Sequence, residues 1–198
     1  EAPKIRGTAQ NPDIFFQARE ACNKFYNNLP EVVEYYMNEI NKLTGRNYGL
    51  FNYYGAPDAD RIIIAMGSVC DTIEETIDYL MSKGEKVGLV KVRLYRPFSV
   101  KHLLAVIPST VKKIAVLDRT KEPGSVGEPL YADVCTAFFD RDDRPVIVAG
   151  RYGLGSKDTT PAQIIAVYNN LLSDNPKNHF TIGIVDDVTF TSLEVGEY

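Results

Sequence analysis

The chain has 198 residues, 44% hydrophobic and 24% charged, with a formal net charge of −4. That size and composition fit a soluble domain with an appendage, or two small domains, able to bury a sizeable core. The acidic balance and scattered basic residues exclude a nucleic-acid face and a polybasic membrane surface, and no apolar run approaches the roughly 20 residues that span a bilayer.

The start, Glu1-Ala2-Pro3, reads as no secretory leader, and residues 1–12 read as an extended arm. A helix is predicted over 13–27, offering Phe15, Phe16 and Phe25 for burial. A second opens at an Asn28 cap with Pro30 in its first turn, places Val33, Tyr36, Met37 and Ile40 on one face, and closes at Gly45. Residues 1–55 are therefore expected to form an arm and helical connection, and residues 56–198 an α/β domain.

From residue 61 the pattern alternates. Strands are predicted over 61–66, 86–95, 113–117, 145–149 and 180–185, all nearly continuous apolar runs of the kind covered on both faces. Between them, Thr72 and Glu75 have capping-box spacing ahead of Ile73, Ile77, Leu80 and Met81, with Gly84 at the exit. Ser99 caps a helix carrying Leu103, Leu104 and Ile107. Ser125 or Gly127 starts another, with Leu130, Val134, Ala137 and Phe138 inward. Thr160, Pro161 and Gln163 give a cap, a first-turn proline and a second capping box before Ile164, Val167, Tyr168 and Leu171. The fold predicted is a three-layer αβα domain with a mostly parallel five-stranded sheet and right-handed crossovers.

Ligands of such sheets sit beyond the carboxyl ends of the strands, where the loops 67–71, 119–128 and 150–160 fall. The loop GRYGLGSKDTTP offers Gly150, Gly153 and Gly155 for close approach of backbone amides to an anion, with Arg151 and Lys157 adding charge. Gly150 and Gly155 have phosphate-loop separation, but Ser156 stands where the lysine belongs and Asp158 follows Lys157. The plainer reading is a tight turn into the next helix. In RTKEPGSVGE, the basic Arg119 and Lys121 flank glycines at Gly124 and Gly127, while Glu122 and Glu128 offset them; this reads as a contact surface or an anion site.

Other residues carry weaker signals. His102 and His179 have no companion cluster, so no metal site is predicted. Asp118 and the pair Asp186-Asp187 end strands, where acids bind Mg²⁺ or cap the next element. Ser68 lacks the second glycine of a hydrolase elbow. The isolated cysteines Cys22, Cys70 and Cys135 form no disulfide framework and cannot alone hold an iron–sulfur cluster; they fit a reducing, cytoplasmic compartment.

Several stretches together resemble pyruvate:ferredoxin (or flavodoxin) oxidoreductase, in its second domain, which is shaped like the C-terminal domain of transketolase. They are RGTAQNPD (6–13), GAPDADRIIIAMGS (55–68), GEKVGLVKVRLYRPF (84–98), the crossover 91–128, GRYGLGSKD (150–158) and PKNHFTIGIVDDVT (176–189). The resemblance implies a parent enzyme that converts pyruvate and coenzyme A to acetyl-CoA and CO2. Such an enzyme uses thiamine diphosphate with Mg²⁺ and passes electrons through [4Fe-4S] clusters to ferredoxin or flavodoxin, as a homodimer. Residues 1–55 would then be the tail of the first domain. The family's thiamine-binding acid and cluster cysteines lie outside this stretch, so no catalytic residue and no cofactor is carried over, and the chain is expected to be an inactive scaffold. Two alternatives remain: a stand-alone phosphate- or nucleotide-binding module using residues 150–157, and the C-terminal domain of another thiamine enzyme.

Overall fold

The computed structural model describes residues 3, 7, 9–185 and 188–196, so the Asp186-Asp187 pair and much of the expected arm lie outside the described residues. Contacts divide the chain into two compact units, residues 1–47 and 48–198.

The first unit is a helix pair, α1 (Pro12–Ala21) and α2 (Asn23–Thr44). Asn11 caps α1, its side-chain oxygen accepting from the Ile14 amide at 2.9 Å, with Pro12 at the first helical position. The predicted break at Asn28 does not occur. The chain turns at Cys22 instead, and α2 continues through Pro30. A proline inside a helix removes one hydrogen bond and crowds the preceding turn. Here 22 residues of amphipathic helix absorb that defect, and Pro30 itself is buried. Gly45 ends α2 as predicted, left-handed at φ +69°, its amide donating to the Asn41 carbonyl at 2.8 Å.

The second unit is a six-stranded sheet with helices on both faces. In chain order it comprises β1 (Phe51–Gly55), β2 (Arg61–Ala65), α3 (Val69–Ser82), β3 (Val87–Val92), α4 (Val100–Val106) and β4 (Lys113–Asp118). Then follow α5 (Pro129–Ala137), β5 (Val146–Arg151), a 3₁₀ turn (Leu154–Ser156), α6 (Pro161–Leu172) and β6 (Phe180–Thr181). The strand order is β1-β3-β2-β4-β5-β6, with β1 antiparallel to β3 and every other pairing parallel.

The sheet has one strand more than predicted. FNYYG, expected within the connection over residues 1–55, is this extra strand. As an edge strand it needs one ladder, supplied by β3 in the register Tyr53↔Val90. Conversely, the predicted strand over 180–185 stops after Thr181: Gly183 turns left-handed at φ +89°, and residues 191 and 193 supply the backbone partners of Thr181. The helix after β2 starts at Val69, placing Thr72 within it rather than at its cap.

Alternation along the strands divides the core. Ile63, Ala65, Leu89, Ala115, Leu117 and Val148 face a cluster completed by α3 and α6, with Tyr168 and Phe180 fully buried in it. Ile62, Ile64, Val90, Ile114 and Val116 are buried with Leu103 of α4 and Leu130 and Val134 of α5 on the other side. This arrangement breaks the handedness expectation at one place. The β2-α3-β3 crossover steps toward the β1 edge, whereas β5-α6-β6 steps the opposite way over the same face. Two such crossovers have opposite hands. The three earlier units agree with one another, so β5-α6-β6 is the exception to the right-handed rule.

Candidate functional site

Strand order reverses around β2, which pairs with β3 on one side and β4 on the other. Beyond the carboxyl ends at such a point an open sheet leaves a crevice. Here β2 runs into Met66-Gly67-Ser68, β4 into Arg119-Thr120 and β5 into Tyr152-Gly153. Two adjoining hollows of about 360 and about 320 Å³ lie between these loops, sharing Ser68, Arg119 and Tyr152 in their walls.

The acids and bases at this edge are mostly engaged with one another. Asp118 is buried, its two carboxylate oxygens accepting from the Leu130 and Tyr131 amides at 3.0 and 3.1 Å. It therefore caps α5 from twelve residues upstream, where the flanking Glu128 makes no side-chain cap bond and neither Ser125 nor Gly127 serves as the predicted cap. Burial raises the Asp118 carboxyl above its ordinary value despite these two donors. Glu128 is buried with Arg151: a carboxylate oxygen lies 3.6 Å from the guanidinium, whose other arm donates to the His179 carbonyl at 2.9 Å. Lys121 approaches Glu128 at 3.7 Å. Arg151 thus ties the loop 119–128, through Glu128, to β5 and the approach to β6, while Lys121 closes the loop on itself.

The predicted glycines have separate tasks. Gly150 lies under Phe180, where a Cβ would come within 2.3 Å of the ring, and Gly127 underlies Tyr131 in the same way at 2.4 Å. Gly124 turns left-handed at φ +81° in open space. Gly153, left-handed at φ +64°, supports the Arg119 side chain, whose Nε donates to its carbonyl at 2.9 Å. Gly155 and Ser156 both take positive φ, and Ser156, Lys157 and Arg119 line the smaller hollow. Of the ten predicted residues, the fold brings these three together and consigns Gly150, Gly127 and Arg151 to packing. Ser68, Thr72, Tyr95 and Tyr152 also line the crevice. The sequence marks the loop 67–71 as lying at this edge, but it does not bring Ser68 and Thr72 together with Tyr95 and Tyr152, because three separate segments deliver them.

The described residues place no general base on Ser68. Ser99 Oγ and His102 Nδ1 lie 2.6 Å apart, but within the first turn of α4 and outside the crevice lining. Burial pushes the Cys70 thiol up to about 11 and the Tyr152 hydroxyl up to about 12, so both stay protonated near neutrality. Cys22, Cys70 and Cys135 sit in separate elements, and among the described residues no three His, Cys, Asp or Glu side chains could hold a metal ion. This donor set does not fit an iron–sulfur cluster or a Mg²⁺-bound diphosphate. No described helix is long and apolar enough to cross a membrane.

The family described as pyruvate:ferredoxin oxidoreductase core domain II matches residues 59–164, and the chain belongs to that family. Similar relatives include the pyruvate-flavodoxin oxidoreductase of Enterobacter agglomerans, 65% identical over 98% of this chain, and the pyruvate:ferredoxin oxidoreductase of Moorella thermoacetica, 59% identical over all of it. The chain spans 17% of the length of each. A solved structure of the 2-oxoglutarate:ferredoxin oxidoreductase from Magnetococcus marinus is 19% identical, with a TM-score of 0.44, covering 67% of this chain and 21% of its own; that likeness is too low to carry an argument.

Proposed function

We propose that the chain is a structural domain of a pyruvate:ferredoxin (flavodoxin) oxidoreductase, ordering its neighbours without contributing a catalytic residue. The observation that carries this reading is high identity over almost the whole chain to relatives of which it represents 17%. In this reading the parent polypeptide converts pyruvate and coenzyme A to acetyl-CoA and CO2, and its other domains supply thiamine diphosphate, Mg²⁺ and [4Fe-4S] clusters. It works in the cytoplasm as a homodimer and delivers electrons to ferredoxin or flavodoxin. Residues 1–47 belong to the connection from the preceding domain, and the α/β portion from residue 48, β1 included, is the scaffold.

The test separates part from whole. The intact polypeptide should reduce ferredoxin or flavodoxin in a pyruvate- and coenzyme A-dependent assay, while the 198-residue chain, folded by circular dichroism, should give no turnover and no thiamine diphosphate binding by calorimetry. Turnover by the isolated chain, or an intact polypeptide inert toward pyruvate, would overturn the reading.

A further inference from the structure

The crevice at the sheet's carboxyl edge has two chemically different lobes. The larger presents apolar surface from Met66, Tyr95, Leu117 and Pro129. The smaller gathers donors: the hydroxyls of Ser68, Thr72, Ser156 and Thr159, the Lys157 ammonium and the Arg119 guanidinium, while the Tyr152 hydroxyl in the same wall faces the Met66 carbonyl. Among the described residues, those four hydroxyls and the ammonium have no protein partner. Arg119 spends its Nε on the Gly153 carbonyl, leaving its two terminal nitrogens for the crevice. Both oxygens of Asp118 are occupied by α5 amides, and Asp158 is the carboxylate that lines the smaller lobe. Two cations and four uncommitted hydroxyls therefore line a space with one carboxylate in its wall.

That donor count exceeds what a carboxylate ligand can accept. A phosphoryl group, with three strongly accepting oxygens and up to two charges, matches it. The apolar lobe beside it fits the body of a small organic molecule, and a pocket with few convergent polar groups at a strand-order reversal is where open α/β sheets take such ligands. Within the loop 150–157, Gly150 is taken up by packing under Phe180 and Arg151 by Glu128. The donors that remain come from separate loops and the first turn of α3.

We infer that this crevice binds a phosphorylated small molecule, its phosphoryl group among Ser68, Arg119, Ser156 and Lys157 and its apolar body against Met66, Tyr95 and Pro129. The intact polypeptide carrying this chain is titrated by calorimetry with adenosine 5′-monophosphate, inorganic phosphate and adenosine, alongside Arg119→Ala and Lys157→Ala. Lys157 is exposed and has no partner among the described residues, so Lys157→Ala should keep the unliganded melting temperature. The monophosphate should bind more tightly than phosphate and far more tightly than adenosine, and each variant should weaken it roughly tenfold, the scale of one charge-assisted hydrogen bond. Equal monophosphate binding in wild type and Lys157→Ala, adenosine binding as tightly as its monophosphate, or no binding of either phosphate overturns the inference.

Discussion

The two compact units solve the burial problem to different degrees. In the sheet unit Tyr168, Phe180 and a run of isoleucines are withdrawn from water completely. In the helix pair, α1 buries no residue and α2 buries Pro30, while Phe15, Phe16, Phe25, Tyr36 and Leu43 stand exposed, Leu43 at 86%. Fully burying one such side chain contributes about 1.5–3 kcal/mol, so the sheet unit holds its own stability and the helix pair forgoes most of what its sequence could supply. Phe25, Val32, Tyr36, Ile40 and Leu43 recur along α2 mostly at three- and four-residue spacing, an apolar stripe that stands exposed in this chain. A stretch that represents 17% of its relatives' length is expected to leave such a surface for the rest of the polypeptide.

The contrast can be broken most forcefully in the sheet unit. Phe180→Ala removes a fully buried ring from over Gly150 and should cost about 3–5 kcal/mol by urea denaturation of the chain. Glu128→Gln keeps the shape but leaves the buried Arg151 guanidinium without its counter-charge; a loss of about 3 kcal/mol is expected in the same measurement. A result under about 1 kcal/mol would show the pair to be solvated. Asp118→Ala deletes the remote cap of α5 and should cost about 1 kcal/mol.

Asp118 also has a pH signature. Because burial raises its carboxyl, the folded state favours the protonated form, and the stability this group contributes is fully present below its ordinary value of 3.8 and is lost as pH rises through the raised one. Removing it should therefore make stability climb more steeply with pH from 3.8 upward, read from denaturation midpoints. The smallest effect belongs to the helix pair. Phe25→Ser with Tyr36→Ser should move the chain's own stability by less than about 0.5 kcal/mol, and should lower the melting temperature of the intact polypeptide. Equal insensitivity in both would mean the stripe has no partner.

Much of the sheet unit was legible because its signals are local. The Thr160–Gln163 capping box forms reciprocally, with Gln163 accepting from the Thr160 amide at 3.1 Å, and the inward faces of α5 and α6 fall where the spacing puts them. The misreadings depend on distant partners. β1 is a strand because β3 offers an edge, and α5 starts where Asp118 reaches it. In the loop 150–160, local composition allows glycines near an anion beside the plainer tight turn, and does not show what each glycine packs against. Yet Phe180 decides the role of Gly150, Arg119 sits over Gly153, and Glu128 binds Arg151. The crevice donors were legible as residue types but not as neighbours, since they come from segments as far apart as Ser68 and Lys157.

The reversed hand of the last crossover orders events in time. α6 follows β5 in the chain yet covers the face that α3 began to cover much earlier. As the polypeptide leaves the ribosome, the hydrophobic side shared by β2 and β4 stays half open until residue 172 has emerged, whereas α4 and α5 have already closed the opposite side. A chain truncated after residue 160 should accordingly bind an apolar dye and be a chaperone client, and a chain extended beyond the end of α6 should do neither.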